Sequence, residues 1–382
     1  MPTIRTKTVL LAACLSSFLA ACSGYKPPAP SPLQANPATT PVATRWSAKL
    51  ARELQFPLQI ASQGEQVLVA DGGGLVQALS ASTGAAQWSF QAGKPLSAGV
   101  GFDGNTAAVV TQDAQLLVFR SSGIVWRTTL QSPTYTAPLV SGGRVFVLGS
   151  DQSITAFDGG NGFKLWQHKA RLPEGSLVLR QASLLTAANG NLLVGVNGRI
   201  VALNPDNGAP LGETMLAQAR GSNALSQVID LMAPASRQGN SLCARVYQYS
   251  VGCTSLAGGL SWSQASVGTT GVAGDAQMVV GTDNAGIVTA WARADGKVLW
   301  KNTAFQHRDL SAPLLVGSSI VIGDAQGWLH VLSSKDGSLR NRVAVDTSAI
   351  NIANVLVGNT VVVVSNKGEV AGMQVQKKHK TK

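Results

Sequence analysis

The chain of 382 residues carries 41 glycines, 13% charged residues and 5% aromatics, a balance that excludes a disordered polyelectrolyte or a coiled coil and suits many short strands joined by tight turns. Its formal charge is +11, but Arg5, Lys7, Lys377, Lys378, Lys380 and Lys382 sit at the two ends, and without them the charge falls to +5. No basic stripe with interleaved aromatics accompanies that modest excess, so no nucleic-acid partner is expected.

Residues 1–21 read as a secretory signal: Arg5 and Lys7 precede an uncharged, Leu- and Ala-rich run over 9–21 that closes on small side chains. The run is shorter than the roughly 20 apolar residues that cross a bilayer. The tetrapeptide LAAC occurs twice in it, ending at Cys14 and at Cys22, and each copy resembles the lipobox at which bacterial lipoproteins receive a diacylglycerol on a cysteine. Ending at Cys14 would leave only residues 9–13 as the apolar core, below the roughly 7 to 15 that a signal needs, so Cys22 is the expected lipid acceptor and first mature residue. Ser23 rather than Asp follows it, which in the resembled class favours the outer membrane, facing the periplasm.

Residues 23–42, SGYKPPAPSPLQANPATTPV, contain six prolines and no apolar periodicity. With Cys22 they read as a semi-extended tether of roughly 60 Å reach at about 3 Å per residue. One folded body is expected over 43–376 and a basic tail over 377–382, solvated or resting against lipid headgroups.

A repeat begins beyond the tether. VLVADGGGLVQALSASTGAAQW (67–88), AAVVTQDAQLLVFRSSGIVW (107–126) and VFVLGSDQSITAFDGGNGFKLW (145–166) each run apolar strand, Gly or Asp turn, alternating strand, second turn and closing Trp. Units at 192–212, 241–262, 278–300 and 320–340 follow the same plan, the first and last of them without the final Trp. Trp88 to Trp126 is 38 residues, Trp126 to Trp166 is 40 and Trp262 to Trp300 is 38, a period that marks four-stranded propeller blades. An eighth unit is split: VVVVSNKGEVAGMQVQ (361–376) lacks a Trp, and ATRWSAKL (43–50) supplies one in Trp46. The expected fold is all-β, an eight-bladed β-propeller whose ring closes by pairing of an N-terminal strand with the C-terminal blade, which removes an open sheet edge. The once-per-blade indoles Trp46, Trp88, Trp126, Trp166, Trp262 and Trp300 are expected to pack between blades, while Trp291 and Trp328 lie off that position.

Cys243 and Cys253 flank a turn near Gln248 and would stand opposite one another on two strands, which suits a disulfide in an oxidising compartment; two buried free thiols are the alternative. Trp166 to Gly212 is 46 residues and Gly212 to Trp262 is 50, so the repeat is overlong at about 167–190 and 213–240, and insertions in repeat scaffolds map to loops on a binding face. The first insertion holds Leu177, Leu179 and Arg180, apolar residues beside a cation, composed either as a hot spot or as a blade's first strand with an Arg capping loop carbonyls.

None of the motifs suggestive of catalysis has the context its chemistry needs. GVGFDG (99–104) leads into a strand where a dinucleotide fingerprint needs a helix. DGGNG (158–162) and NPDNG (204–208) suit hairpin turns better than calcium loops, since neither has a later bidentate Glu. His168, His307, His330 and His379 are scattered, so neither a metal nor a cofactor is expected.

Turns such as ADGGGLVQALSASTGAAQW resemble the pyrroloquinoline-quinone-type repeat, and with the lipobox the whole resembles the BamB family of outer-membrane protein assembly factors. SLVLRQAS (176–183) and GDAQGWLHVLSSKDG (323–337) look like stretches of that family. The resemblance implies a non-enzymatic subunit, monomeric within a hetero-complex, that binds the POTRA domains of BamA and assists unfolded outer-membrane barrels. It implies partner contact at Leu177, Leu179 and Arg180 and at an acidic loop, of which SNALSQVIDLMAP (222–234) keeps only Asp230. The repeat alone also fits a small periplasmic quinoprotein dehydrogenase or ligand-binding propeller, although the adjacent Cys-Cys of such enzymes does not occur.

Overall fold

The computed structural model describes residues 28–54, 58–170, 177, 179–219 and 228–376; Cys22, the signal and the basic tail lie outside the described residues. The chain divides into two units, Met1–Pro30 and Ser31–Lys382, and the propeller belongs to the second.

The first blade shows the plan. β2 (Ala61–Gln63), β3 (Gln66–Ala70), β4 (Leu75–Ser80) and β5 (Ala86–Gln91) form an antiparallel sheet in sequence order. Six further sheets repeat it, over 96–129, 139–169, 185–215, 231–265, 272–302 and 314–344. The first strands of neighbouring blades approach one another, so they line the centre of the ring. In the eighth blade β30 (Val355–Val357), β31 (Thr360–Val364) and β32 (Glu369–Val375) are completed by β1 (Val42–Lys49), which pairs antiparallel with β32 from Val42 opposite Val375 to Lys49 opposite Glu369. The expected eight-bladed propeller and its closure are both present.

The core is eight slabs, one between each pair of blades, with no single centre. Val67 and Val69 face Val362 and Val364 of the eighth blade, while Leu68 and Ala70, one residue on, face Val109 and Phe119 of the second. Alternate residues thus point into different slabs, which is why the second strand of each blade reads as a continuous apolar run.

The recurring indoles lock the slabs at their outer margin. Each Nε1–H donates to a carbonyl in the following blade: Trp46 to Ala81 (2.8 Å), Trp126 to Gly159 (3.0 Å), Trp166 to Pro205 (3.0 Å), Trp262 to Arg293 (2.7 Å) and Trp300 to Ser334 (3.0 Å). Beneath each ring lies a glycine of that blade's outer turn: Gly84, Gly162, Gly208, Gly296 or Gly337. All five have φ between +70° and +77°, and a methyl added at any of them would fall within 2.7 Å of the indole. Trp88 is different: the facing turn is the shorter SSG (121–123), and the ring packs edge-on against Phe119 at 6.3 Å instead. Trp291 is buried beside Cys243, Cys253 and Trp262 in the slab between blades 5 and 6.

Cys243 and Cys253 stand directly opposite in paired strands and form the expected disulfide. Part of the Pro-rich segment expected as a semi-extended tether is docked on the ring. Residues 31–40 lie along β29 (Leu339–Ala344), the outer strand of blade 7: Ser31 N–H donates to Gln306 O (2.8 Å), Arg342 Nη2 to Gln34 O (3.0 Å), Asn36 Nδ2 to Asn341 Oδ1 (3.0 Å) and Thr39 N–H to Arg340 O (2.7 Å). The physical reason is at Asn341. It sits opposite Val331 as Trp300 sits opposite Ala290, so blade 7 has an amide where its neighbour has an indole. That amide donates to Thr40 O at 2.6 Å, and the docked segment fills the margin that an indole would have covered.

Replacing Trp126 by Ala removes an indole that is 9% exposed and its bond to Gly159, and is expected to cost about 3–5 kcal/mol in chemical denaturation. A loss under about 1 kcal/mol would show that the slabs hold without it.

Candidate functional site

Both overlong stretches of the repeat flank blade 4, and they meet. Leu184 N–H donates to Leu231 O (2.9 Å), Ala233 N–H to Ala182 O (3.1 Å), and Ser183 pairs antiparallel with Met232. Ser183 N–H also donates to Thr136 Oγ1 of the loop entering blade 3 (3.0 Å). Three blade entrances are thereby stitched together on one face of the ring, the face that also carries the turns between second and third strands.

The sequence-derived residues sit on this stitching. Leu177 is 47% exposed, Leu179 is half-buried and Arg180 is exposed, with its guanidinium 5.3 Å from the centre of the Tyr135 ring. An Arg held over an aromatic face is attracted to the ring's quadrupole. Asp230 accepts a hydrogen bond from Gln152 Nε2 at 3.0 Å and another from the Leu179 N–H, while its own carbonyl accepts Tyr247 N–H at 2.9 Å. Leu179, Arg180 and Asp230 therefore form one constellation although they come from the two separate insertions. Leu177 is an exposed apolar side chain two residues before Leu179.

Three contributors are not visible as site residues in the sequence: Tyr135, Gln152 and Gln181. Gln152 carries the one available signal. It ends the turn between the second and third strands of blade 3, where blade 1 has Gly74, and it holds φ +57° despite its side chain. Blade 2 holds Ala114 at φ +60° in the same position, so the left-handed backbone marks only the turn, and the signal is the amide that stands where blades 1 and 2 have a hydrogen and a methyl.

These side chains offer hydrogen bonds, one carboxyl, one guanidinium and apolar contact. The crevice lined by Tyr135, Gln152, Leu179, Gln181 and Asp230 has a volume of about 30 Å³, too small for a cofactor. Gln181 also lines the larger central channel, a cavity of about 750 Å³ walled by Ile60, Met232, Leu310 and Ile352. Among the described residues, no three of His, Cys, Asp and Glu gather around a point where one ion could sit.

Burial raises the Asp230 carboxyl above its usual 3.8, and the Leu179 N–H opposes the shift only in part. A carboxyl that holds its proton more tightly when folded contributes stability below about pH 3.8 and loses that contribution as pH rises through its raised value. At neutral pH its charge costs stability. Asp230→Asn, which keeps an acceptor for Gln152, is expected to raise the thermal midpoint at pH 7, with the difference closing as the pH is lowered toward about 4; a variant less stable at pH 7 would contradict it.

Known proteins are similar to this chain as a whole. Residues 72–302 match the family model described as outer membrane protein assembly factor BamB. The chain is 33% identical over 369 residues to the outer membrane protein assembly factor BamB of Burkholderia pseudomallei, covering 95% of this chain and 97% of the relative. It is 31% identical over 313 residues to that of Bordetella pertussis, covering 81% of each. Among solved structures, BamB from Moraxella catarrhalis superposes with a TM-score of 0.80 at 26% identity, covering 87% of this chain and 99% of that one. A quinohemoprotein alcohol dehydrogenase from Comamonas testosteroni superposes at 0.68 with 12% identity over 91% of this chain and 79% of that one, a likeness of fold alone. The chain belongs to the BamB family of outer membrane protein assembly factors.

Proposed function

We propose that this chain is a non-catalytic subunit of the outer-membrane barrel assembly machinery, anchored in the outer membrane by lipid on Cys22 and facing the periplasm. It binds the POTRA domains of BamA through Leu177, Leu179, Arg180 and Asp230, and it assists the insertion of unfolded barrels as one copy in a hetero-complex. The observation that carries this reading is the joining of the two insertions into one constellation. Exposed Leu177, an arginine stacked on Tyr135 and a half-buried carboxylate hydrogen-bonded to Gln152 make an apolar and charged patch on a fixed backbone. Arg and Tyr are among the residues that carry most binding energy at protein interfaces. Membership of a family of assembly factors supports the same role.

The test is co-purification of tagged, lipidated protein with BamA. A Leu179→Ala, Arg180→Ala double variant is expected to recover at least about tenfold less BamA while keeping its thermal transition, because two anchors at about 1–2 kcal/mol each are removed from the surface. Undiminished recovery would remove these residues from the interface. Dye-linked oxidation on adding quinone and Ca²⁺ would overturn the non-catalytic reading.

A further inference from the structure

The segment along blade 7 joins the ring to the residue read as its lipid anchor. Its sequence, SPLQANPATT (31–40), places Pro32 and Pro37 where a continuous strand would need N–H donors. All of 34–39 is exposed, and Ser31 and Leu33 are only half-buried. It is held by separate polar contacts in place of a ladder. Besides those at Ser31, Gln34, Asn36 and Thr39, Ser31 Oγ donates to Ala304 O (2.9 Å) and Asn341 donates to Thr40 O. Elements with few buried apolar contacts and solvent-exposed hydrogen bonds are the ones that open locally, well below the global unfolding free energy.

The other side of the contact is rigid. Arg308 is 4% exposed, and its guanidinium is paired with fully buried Asp324 through Nη2 (2.7 Å) and Nε (2.8 Å). His330 Nε2 shares that carboxylate at 2.9 Å, and the ring lies 4.7 Å from that of Phe305. The remaining Arg308 donor, Nη1, reaches out to Ser31 O at 2.9 Å. A preformed, buried cation thus waits for one backbone carbonyl of a weakly held chain.

We propose that residues 31–40 are a releasable clasp that gives the anchoring chain two lengths, an inference that rests on Cys22 being the lipidated residue. Docked, nine residues separate Cys22 from Ser31, a reach of about 30 Å at about 3.1 Å per residue; released to the start of β1, twenty residues reach about 60 Å. Release frees the ring without opening it, because β1 stays paired with β32. It also leaves Asn341 and Arg308 Nη1 open to water at the outer margin of blade 7. Among the described residues, the constellation beside blade 4 has no hydrogen bond or ion pair with the clasp, and it keeps its geometry in both states.

The test is hydrogen exchange on the full lipidated chain bound to phosphatidylethanolamine and phosphatidylglycerol vesicles. Amides of 31–40 are expected to exchange at least about tenfold faster than those of β31 and at least about tenfold slower than in the free 31–40 peptide. Ser31→Pro, which deletes two of the contacts, and Asn36→Ala should each raise exchange over 31–40 about a further tenfold and leave blades 1 to 6 unchanged. Exchange over 31–40 as slow as in β31 overturns the clasp by making it an integral strand, and exchange equal to the free peptide overturns it by showing that it never docks. In a second readout, energy transfer from headgroup-labelled lipid to a dye at Lys335→Cys should fall in the Ser31→Pro background; unchanged transfer despite faster exchange sinks the two-length reading. Failure of the anchor reading is separate: the N-terminal peptide would show no added lipid mass and the chain would not bind vesicles, while exchange in solution still decides the clasp.

Discussion

Everything in this molecule depends on sheets that are apolar on both faces. A four-stranded blade with Val67 and Val69 on one side and Leu68 and Ala70 on the other has no face to give to water, so it is stable only between two others. Repeating that demand around a circle leaves no end blade. The ring therefore has to close on itself, and the simplest closure uses a strand from the far end of the chain, as β1 does against β32. The indole locks are a second layer on this constraint: they fix the angle at which one slab's margin meets the next.

Where the lock is missing, the fold substitutes. Blade 7 has Asn341 at the lock position, and its margin is covered by chain from outside the blade. Blade 4 has Gly212 there, opposite Ala202, and the entrances on its two sides carry the long insertions that hold the candidate site. The candidate residues thus occupy the part of the ring where the repeat is least regular, and the regular blades supply a stiff frame for them.

How much of this can be read from sequence differs by kind of interaction. Blade count, closure, the disulfide and the packing role of five indoles are legible because each depends on spacing, and spacing survives in one dimension. The place of the site is legible for the same reason, as two intervals longer than the period. Its contacts are not: Gln152 bonds Asp230 across 78 residues, and nothing local to either announces the other. The docking of residues 31–40 is not legible, because a composition rich in proline and lacking apolar period describes what the segment cannot do alone and is silent about carbonyl-binding partners at Arg308 and Asn341. Arg245 is equally opaque. In the run LCARVY it looks like a surface cation, yet it is fully buried, its Nη groups donate to Ser266 O and Thr282 O at 2.9 Å, and burial pushes it down to about 10.

The bond from Gln152 to Asp230 leaves blade 3 and lands at the entrance to blade 5, skipping the blade between them. A contact that spans a wedge is a caliper on it. Leu179, tied to the same carboxylate, is presented in its observed position only while blade 4 keeps the angular width that lets the two ends of the caliper touch. A partner gripping that loop would thus be reading the pitch of the ring itself, and any strain that widened blade 4 would be felt as weakened grip before a single interfacial residue had changed.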